Sequence, residues 1–308
     1  MLQDELTDAE RMFIDTLPGP PAFANVRTTT VWIIEWLAPE ETLTGLKLQE
    51  WMEQRRPGWS VYCPCETKAD VLAAIKRAED WAQTTAMVPV LHIESHGGTH
   101  GLTPTSASDA EWLTWEELTV PLQRLNLVTR CNVIMVVAAC VGYAAVQAFN
   151  KGPRAPAIAL VGPDTNVSPS KLFDGVKELY RRWQDTRGLT EIVESASREM
   201  GEVHFELEPF TTLCFEAMVT GLVKSIRRPE RQERMERLRL RLLAETQLTR
   251  EQIDSRMPQL PLLPAWSEMQ RLWDEMFMID IWPENKERFG IDLKDIIGRI
   301  ESFAADLT

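Results

Sequence analysis

Residues 132–139 read Asn-Val-Ile-Met-Val-Val-Ala-Ala, and this stretch decides the fold class. An almost unbroken apolar run of strand length is typical of a parallel strand covered by helices on both faces. The next residues, Cys140-Val141-Gly142, place a thiol at the carboxyl end of that strand. A strand of this kind needs neighbours that alternate with helices, and the flanking sequence has this pattern.

Short apolar or β-branched segments alternate with segments of helical period over the first 184 residues. Strands are predicted at residues 31–37, 59–63, 88–94, 132–139 and 157–161. Helices are predicted at residues 40–54, 67–83, 114–125, 142–150 and 168–184. This order predicts an α/β fold, with a doubly wound, mostly parallel sheet flanked by helices and joined by right-handed crossovers.

Capping residues mark the starts of several predicted helices. Thr42 is predicted to be the N-cap of the helix at residues 40–54. Thr114 and Glu117 have the spacing of a capping box, and Ser168-Pro169 fits an N-cap followed by the first helical residue. Because each predicted helix follows a loop, these signals also predict where the loops after the strands end.

The rest of the chain divides into an extension at each end. Residues 1–30 are interpreted as an N-terminal extension with a helix at residues 8–16, and residues 31–190 as the core of the fold. Residues 191–308 are predicted to be a mainly helical region packed on the core, with a long charged helix broken near Pro229. Residues 204–215 fit a strand or a helix equally well.

The composition narrows the class of protein. The chain has 308 residues, a formal net charge of −13 and 44% apolar residues. This composition is typical of globular proteins without a membrane-spanning segment. Acidity argues against nucleic acid as a partner. Five cysteines without disulfide spacing and an acidic start without a leader indicate a reducing cytoplasm. The oligomeric state is left open.

Two reactive side chains follow neighbouring predicted strands. His96 comes just after the third strand and Cys140 just after the fourth, and ligands of open α/β sheets bind at that edge. A histidine beside a cysteine can activate the thiol and protonate a leaving amine, so the pair predicts a catalytic dyad. The backbone N–H groups of Gly97 and Cys140 are predicted to form an oxyanion hole.

These residues resemble the caspase-like cysteine proteases. The family signature is Gln-Ala-Cys-x-Gly with a histidine about 50 residues before it. This chain has Ala138-Ala139-Cys140-Val141-Gly142, with His96 lying 44 residues before the cysteine. The segments Gly101-Leu102 and 112–118 look most like the bacterial CHAT branch, and the resemblance covers residues 30–185.

The resemblance implies a cysteine endopeptidase that cleaves a protein or peptide substrate without a metal or organic cofactor. It also implies room for a regulatory protein partner and a role in antiviral defence or programmed cell death, with a gasdermin-like partner. One departure concerns specificity: Ala138 stands where caspases keep a glutamine that helps to hold an aspartate side chain. Asp164, just after the fifth strand, is the candidate to receive a basic side chain, and Glu94 is a weaker candidate for the substrate site or for orienting His96.

Two other functions stay open on the residues alone. His92, Glu94 and His96 alternate on one face of a strand, which would suit a metal-dependent hydrolase, although no HExxH motif accompanies them. The second alternative is a binding or assembly module that leaves the Cys–His pair unused. In that case the helical C-terminal region would carry the function.

Overall fold

The computed structural model describes residues 6–22, 28–107, 110–146, 152–185, 188–201, 204–247, 249–257 and 263–306. The chain divides into two compact units. We call them the sheet unit, which comprises Phe23–Phe210 and Met276–Arg288, and the helical unit, which comprises Met1–Ala22, Thr211–Glu275 and Phe289–Thr308.

The sheet unit is built on a mixed sheet that is mostly parallel. Its strands are β1 (Thr30–Trp36), β2 (Ser60–Pro64), β3 (Pro89–Gly98), β4 (Gly101–Thr103), β5 (Leu113–Thr114), β6 (Ile134–Ala138), β7 (Ala159–Pro163) and β8 (Phe205–Pro209). The order is β2-β1-β3-β6-β7-β8, with β8 alone antiparallel along this path. The end of β3 folds back onto β4, which pairs with β5.

Helices cover both faces of this sheet. They are α2 (Thr44–Arg55), α3 (Lys68–Thr85), α4 (Trp115–Val128), α5 (Pro169–Asp185) and α6 (Leu189–Met200). The ring of Trp32 on β1 packs against Trp81 of α3, whereas Glu35 on the opposite face of β1 binds the start of α2. The α/β class and the mostly parallel, helix-flanked sheet are therefore confirmed.

Most local predictions in this unit agree with the structure. The capping box of Thr114 and Glu117 opens α4, and α5 begins at Pro169. The ambiguous stretch 204–215 holds both elements, because β8 ends at Pro209 and a helix begins at Phe210. A 3-10 turn occupies Gly142–Ala145, and residues 147–150 of the predicted helix lie outside the described residues.

The β4–β5 hairpin was not predicted. Its strands have three and two residues, too few to show a period-two pattern. The predicted core ended at residue 190, whereas the sheet continues to β8.

The described residues of the helical unit form a series of helices. They are α1 (Asp8–Ile14), α7 (Phe210–Ser225), α8 (Arg228–Glu245), α9 (Arg250–Arg256), α10 (Trp266–Met276), α11 (Lys286–Phe289) and α12 (Leu293–Asp306), where α7, α10 and α11 each include residues of both units. The predicted break near Pro229 lies between α7 and α8. Across the described chain, no helix combines the length and apolarity needed to cross a bilayer.

A partly buried ion pair in the helical unit gives a first prediction. Nε and Nη2 of Arg227 donate to the two carboxylate oxygens of Glu10 at 2.7 and 2.6 Å. The hydrogen bonds from Arg227, opposed in part by burial, lower the pKa of Glu10 from 4.5 to about 2. The stabilisation is therefore present above about pH 4.5 and is lost as the pH falls towards 2.

Glu10→Gln is expected to lower the free energy of unfolding at pH 7 by about 2–3 kcal/mol. At pH 3 the loss should be clearly smaller, because the Glu10 carboxyl of the unfolded wild-type chain is then mostly protonated and folding must first ionise it. Urea unfolding at both pH values measures this. The matched control is Glu245→Gln, which removes the exposed Arg241–Glu245 pair of α8 and should change little. Equal losses for Glu10→Gln at both pH values would contradict the account.

Candidate functional site

The sheet order defines where a ligand would bind. From β1 the chain moves to β2 on one side and then returns to β3 on the other, so the topology switches between β1 and β3. In open α/β sheets, ligands bind outside the carboxyl ends of the strands at such a switch point. We call the ends of β1, β3, β6 and β7 and the loops that follow them the carboxyl edge.

His96, Gly97 and Cys140 meet at the carboxyl edge. The parallel register pairs Glu94 with Ala138, and His96 and Cys140 each lie two residues further on. A Cβ added at Gly97 would lie 2.6 Å from the carbonyl oxygen of Cys140. The backbone next to the histidine therefore touches the backbone of the cysteine, as the sequence predicted from strand order.

A strained turn follows Cys140. Val141 has a left-handed backbone with φ 55° and ψ 27°, which is costly for a β-branched residue. Its N–H donates to the carbonyl of Thr165 at 3.1 Å, and the N–H of Gly142 donates to Ala139 at 3.0 Å. Strain of this kind concentrates at functional sites and persists only where the surroundings hold it.

The backbone N–H of Cys140 has no hydrogen-bond acceptor among the described residues. Its neighbours in the turn, Val141 and Gly142, both use theirs. A backbone donor that is left unused beside a nucleophile is what an oxyanion hole requires. The predicted role of this group stays a prediction, and the geometry leaves the donor available for it.

The thiol of Cys140 is half-buried and has a backbone partner. Sγ donates to the carbonyl oxygen of Val167 at 3.5 Å. Within the part of the chain that the structure describes, no hydrogen bond joins this thiol to the imidazole of His96. The two residues of the predicted dyad are therefore close through their backbones, without a hydrogen bond between their side chains among the described contacts. Catalytic hydrogen bonds often tighten only when a substrate binds.

The imidazole of His96 faces a carboxylate that the sequence analysis missed. Oε1 of Glu41 lies 3.2 Å from Nε2 of His96, with the two side chains 33% and 29% exposed. The approach lacks hydrogen-bond geometry, and Nε2 has no hydrogen-bond partner among the described residues. Glu41 lies in the loop between β1 and α2, 55 residues before the histidine, so no local pattern links the two.

Glu94 lies in the core instead. Its Oε1 is 2.9 Å from Nε2 of His92 and its Oε2 accepts from the Thr44 hydroxyl at 2.8 Å. The hydroxyl of Tyr180 on α5 lies 3.0 Å from the other ring nitrogen of His92. Both oxygens of Glu94 are thus engaged inside the protein, and the carboxylate beside His96 is that of Glu41.

A second buried carboxylate lies on the neighbouring strand. Glu35 is the register partner of Glu94. It accepts from the N–H groups of Gly45 at 2.5 Å and Leu46 at 3.2 Å, and from the Tyr62 hydroxyl at 2.6 Å. Burial raises the pKa of Glu35, and the nearby Glu94 adds to the rise.

Glu35 corrects the predicted start of α2. The sequence placed the N-cap at Thr42, whereas the helix begins at Thr44 after Leu43, which makes no side-chain cap. A glutamate from β1 caps the helix from outside, by taking two of the N–H groups that an N-cap side chain would serve. We call Glu35, Glu94 and their partners His92, Thr44, Gly45, Leu46, Tyr62 and Tyr180 the buried carboxylate network.

The buried carboxylate network contains His92 and Glu94, two of the three residues predicted for a metal-dependent hydrolase. Both ring nitrogens of His92 lie at hydrogen-bond distance from protein groups, and both oxygens of Glu94 are taken. Among the described residues, no group of three or more His, Cys, Asp or Glu side chains has a metal-binding arrangement. No residues are therefore assigned to a metal or cofactor.

Asp164 lies at the carboxyl edge beside the cysteine turn. Its side chain is exposed just after β7. The next residue, Thr165, accepts from Val141, and the carbonyl of Val167 binds the Cys140 thiol. The segment that begins with Asp164 therefore runs directly along the predicted nucleophile.

Comparison with protein-family models gives no match, and comparison with curated proteins gives none either. The account of the site therefore rests on the geometry of the carboxyl edge.

Gly97→Ala is expected to disturb the site strongly. The added methyl group would lie 2.6 Å from the Cys140 carbonyl oxygen and 2.8 Å from Cβ of Ala139, so the turn must shift. We expect about 1–3 kcal/mol of destabilisation and a Cys140 alkylation rate changed at least about fivefold. Gly98→Ala is the control, because its Cβ would meet a Trp112 ring carbon at 3.3 Å, a contact that a side chain can relieve. Equal effects of the two substitutions in urea unfolding and alkylation would contradict this.

Proposed function

We propose that the protein is a cysteine hydrolase of the caspase/CHAT type, in which Cys140 is the nucleophile and His96 the general acid and base. The observation that carries the proposal is the contact of Gly97 with the Cys140 backbone at the carboxyl edge, which brings the two residues together. A half-buried thiol just after β6 and a part-exposed imidazole near the end of the adjacent parallel strand β3 suit nucleophilic attack by a thiolate.

The turn after the cysteine supports this role. The left-handed Val141 directs the chain away sharply after Cys140, and the Cys140 N–H is left without an acceptor among the described residues. A donor at that point can stabilise the oxyanion that forms when sulfur attacks a carbonyl carbon. Gly97 is proposed as the second donor.

The proposed substrate is a protein or peptide. The exposed Asp164 beside the cysteine turn favours a basic side chain next to the scissile bond, since Ala138 offers no polar group to hold an acidic one. A reducing cytoplasm suits a thiolate nucleophile. A regulatory partner and a role in antiviral defence or programmed cell death follow from the family resemblance alone.

One observation favours a second candidate function. The thiol donates to the Val167 carbonyl, and among the described residues it makes no hydrogen bond to His96. A binding or assembly module that never uses its Cys–His pair would have the same contact. The two functions differ in whether any peptide bond is cleaved.

Incubation of the purified chain with a proteome-derived peptide library, read by mass spectrometry, tests the proposal. We expect new peptide ends after Arg or Lys that are absent with Cys140→Ala and unaffected by a metal chelator. Asp164→Asn should weaken the basic preference. Cleavage after Asp would overturn the role of Asp164. Chelator-sensitive cleavage that survives Cys140→Ala would support a metal hydrolase, and no cleavage at all would support the binding module.

A further inference from the structure

We infer that Glu41 is a positioning residue for the dyad, whose carboxylate orients His96 and stabilises its protonated form. This inference rests on the proposed function. The observation that carries it is the distance of 3.2 Å between Oε1 of Glu41 and Nε2 of His96. Nε2 has no hydrogen-bond partner among the described residues, and a small rotation of either side chain would let it bind Glu41.

The backbone fixes Glu41 relative to the histidine. The Glu41 N–H donates to the Ala38 carbonyl at 2.9 Å, and the Ala38 N–H donates to the Pro104 carbonyl at 2.9 Å. Pro104 directly follows Thr103, which pairs with His96 in the hairpin of β3 and β4. The loop that carries the carboxylate is therefore tied to the hairpin that carries the imidazole.

The other end of the same loop is anchored in the core. Glu35 holds the N–H groups of Gly45 and Leu46, and Glu94 holds the Thr44 hydroxyl. The buried carboxylate network thereby fixes the start of α2, three residues after Glu41. A side chain placed by anchors on both sides pays little conformational entropy when it holds a partner.

The contact assigns the two ring nitrogens of His96. Nε2 faces Glu41, which leaves Nδ1 for the thiol and the substrate. In the first step the Sγ proton of Cys140 passes to Nδ1, a bond forms between Sγ and the carbonyl carbon, and the C–N bond breaks as Nδ1 protonates the leaving nitrogen. Water then attacks the thioester carbonyl carbon and gives a proton to Nδ1. The C–S bond breaks to release the carboxylic acid, and Nδ1 returns the proton to sulfur. A carboxylate at Nε2 favours the imidazolium that both steps require.

The chain offers a matched control for this role. Glu40 is exposed and precedes Glu41, so Glu40→Gln removes the same charge one residue away. A long-range effect of charge would appear in both variants, whereas an effect through the imidazole would appear only in Glu41→Gln. Glu41→Asp keeps the charge on a shorter side chain and should retain part of the effect.

The experiment measures the rate at which iodoacetamide alkylates Cys140 in the full chain, by peptide mass spectrometry, from about pH 6 to about pH 10. A nearby carboxylate that favours the imidazolium favours its thiolate partner, so Glu41→Gln should slow alkylation about tenfold near pH 6. Above about pH 9 an ordinary thiol ionises by itself, and the variants should converge. Glu40→Gln should stay within about twofold of the wild type.

The outcomes separate this inference from the proposed function. His96→Gln should slow alkylation near pH 6 at least as much as Glu41→Gln. If His96→Gln slows it while Glu41→Gln behaves like Glu40→Gln, the dyad stands and the role of Glu41 is overturned. If His96→Gln leaves the rate unchanged, the dyad itself fails. A uniform loss in Glu41→Gln at every pH would indicate a role in folding alone and would also overturn the inference.

Discussion

Cys140→Ala is expected to abolish peptide hydrolysis, with kcat/KM falling about a thousandfold or more, because the step that forms the thioester has no nucleophile. The fold should survive. The thiol is half-buried at the carboxyl edge, and its described hydrogen bond, to Val167 at 3.5 Å, is weak because a thiol is a poor donor. We expect the free energy of unfolding to change by no more than about 1 kcal/mol.

Cys214→Ala is the control for this variant. Cys214 is also half-buried, on α7, and it has no place in the proposed mechanism. The rates are compared on the peptide that the library identifies, and urea unfolding checks the fold. Full activity in Cys140→Ala, or an equal loss in Cys214→Ala, would rule out Cys140 as the nucleophile.

Glu35→Ala is expected to be the most destabilising substitution in the buried carboxylate network, at about 3–5 kcal/mol. The carboxylate accepts three hydrogen bonds, two from the first turn of α2 and one from Tyr62. Removing it leaves these donors unsatisfied in the core. Glu35→Gln keeps one acceptor oxygen and should cost about half as much.

Urea unfolding measures both substitutions. Glu50→Ala is the control, because this exposed glutamate lies on the same helix and should cost less than about 0.5 kcal/mol. A cost below 1 kcal/mol for Glu35→Ala would mean that the start of α2 is held by other contacts. Because α2 begins three residues after Glu41, we also expect Glu35→Ala to slow Cys140 alkylation near neutral pH.

The sheet could be predicted because several of its strands lie in runs of apolar or β-branched residues. Residues 132–139 and 31–37 carry enough β-branched and apolar residues for the alternation with helices to be seen without a structure. The β4–β5 hairpin could not be predicted, since its strands are only three and two residues long. The antiparallel direction of β8 could not be predicted either, because a strand of five residues has no sequence signal for its orientation.

The candidate site could be predicted in part for a related reason. His96 lies near the end of β3 and Cys140 shortly after the end of β6, so the rule that parallel strands end at one edge was enough to bring them together. Glu41 and Glu35 act at a distance along the chain, and only the folded loop before α2 shows what they contact. Glu94 was predicted beside His96 from strand alternation, whereas its carboxylate is engaged by His92 and Thr44.

The central claim is that the Cys140 thiol is activated by His96, and reaction of the intact protein with a peptidyl acyloxymethyl ketone tests it most directly. Burial raises the pKa of Cys65 and Cys131 to about 12, so these thiols should stay unmodified near neutral pH. We predict one adduct per chain, on Cys140, formed at least about tenfold more slowly in His96→Gln. Modification at an equal rate in His96→Gln, or adducts on Cys214 as readily as on Cys140, would contradict the account.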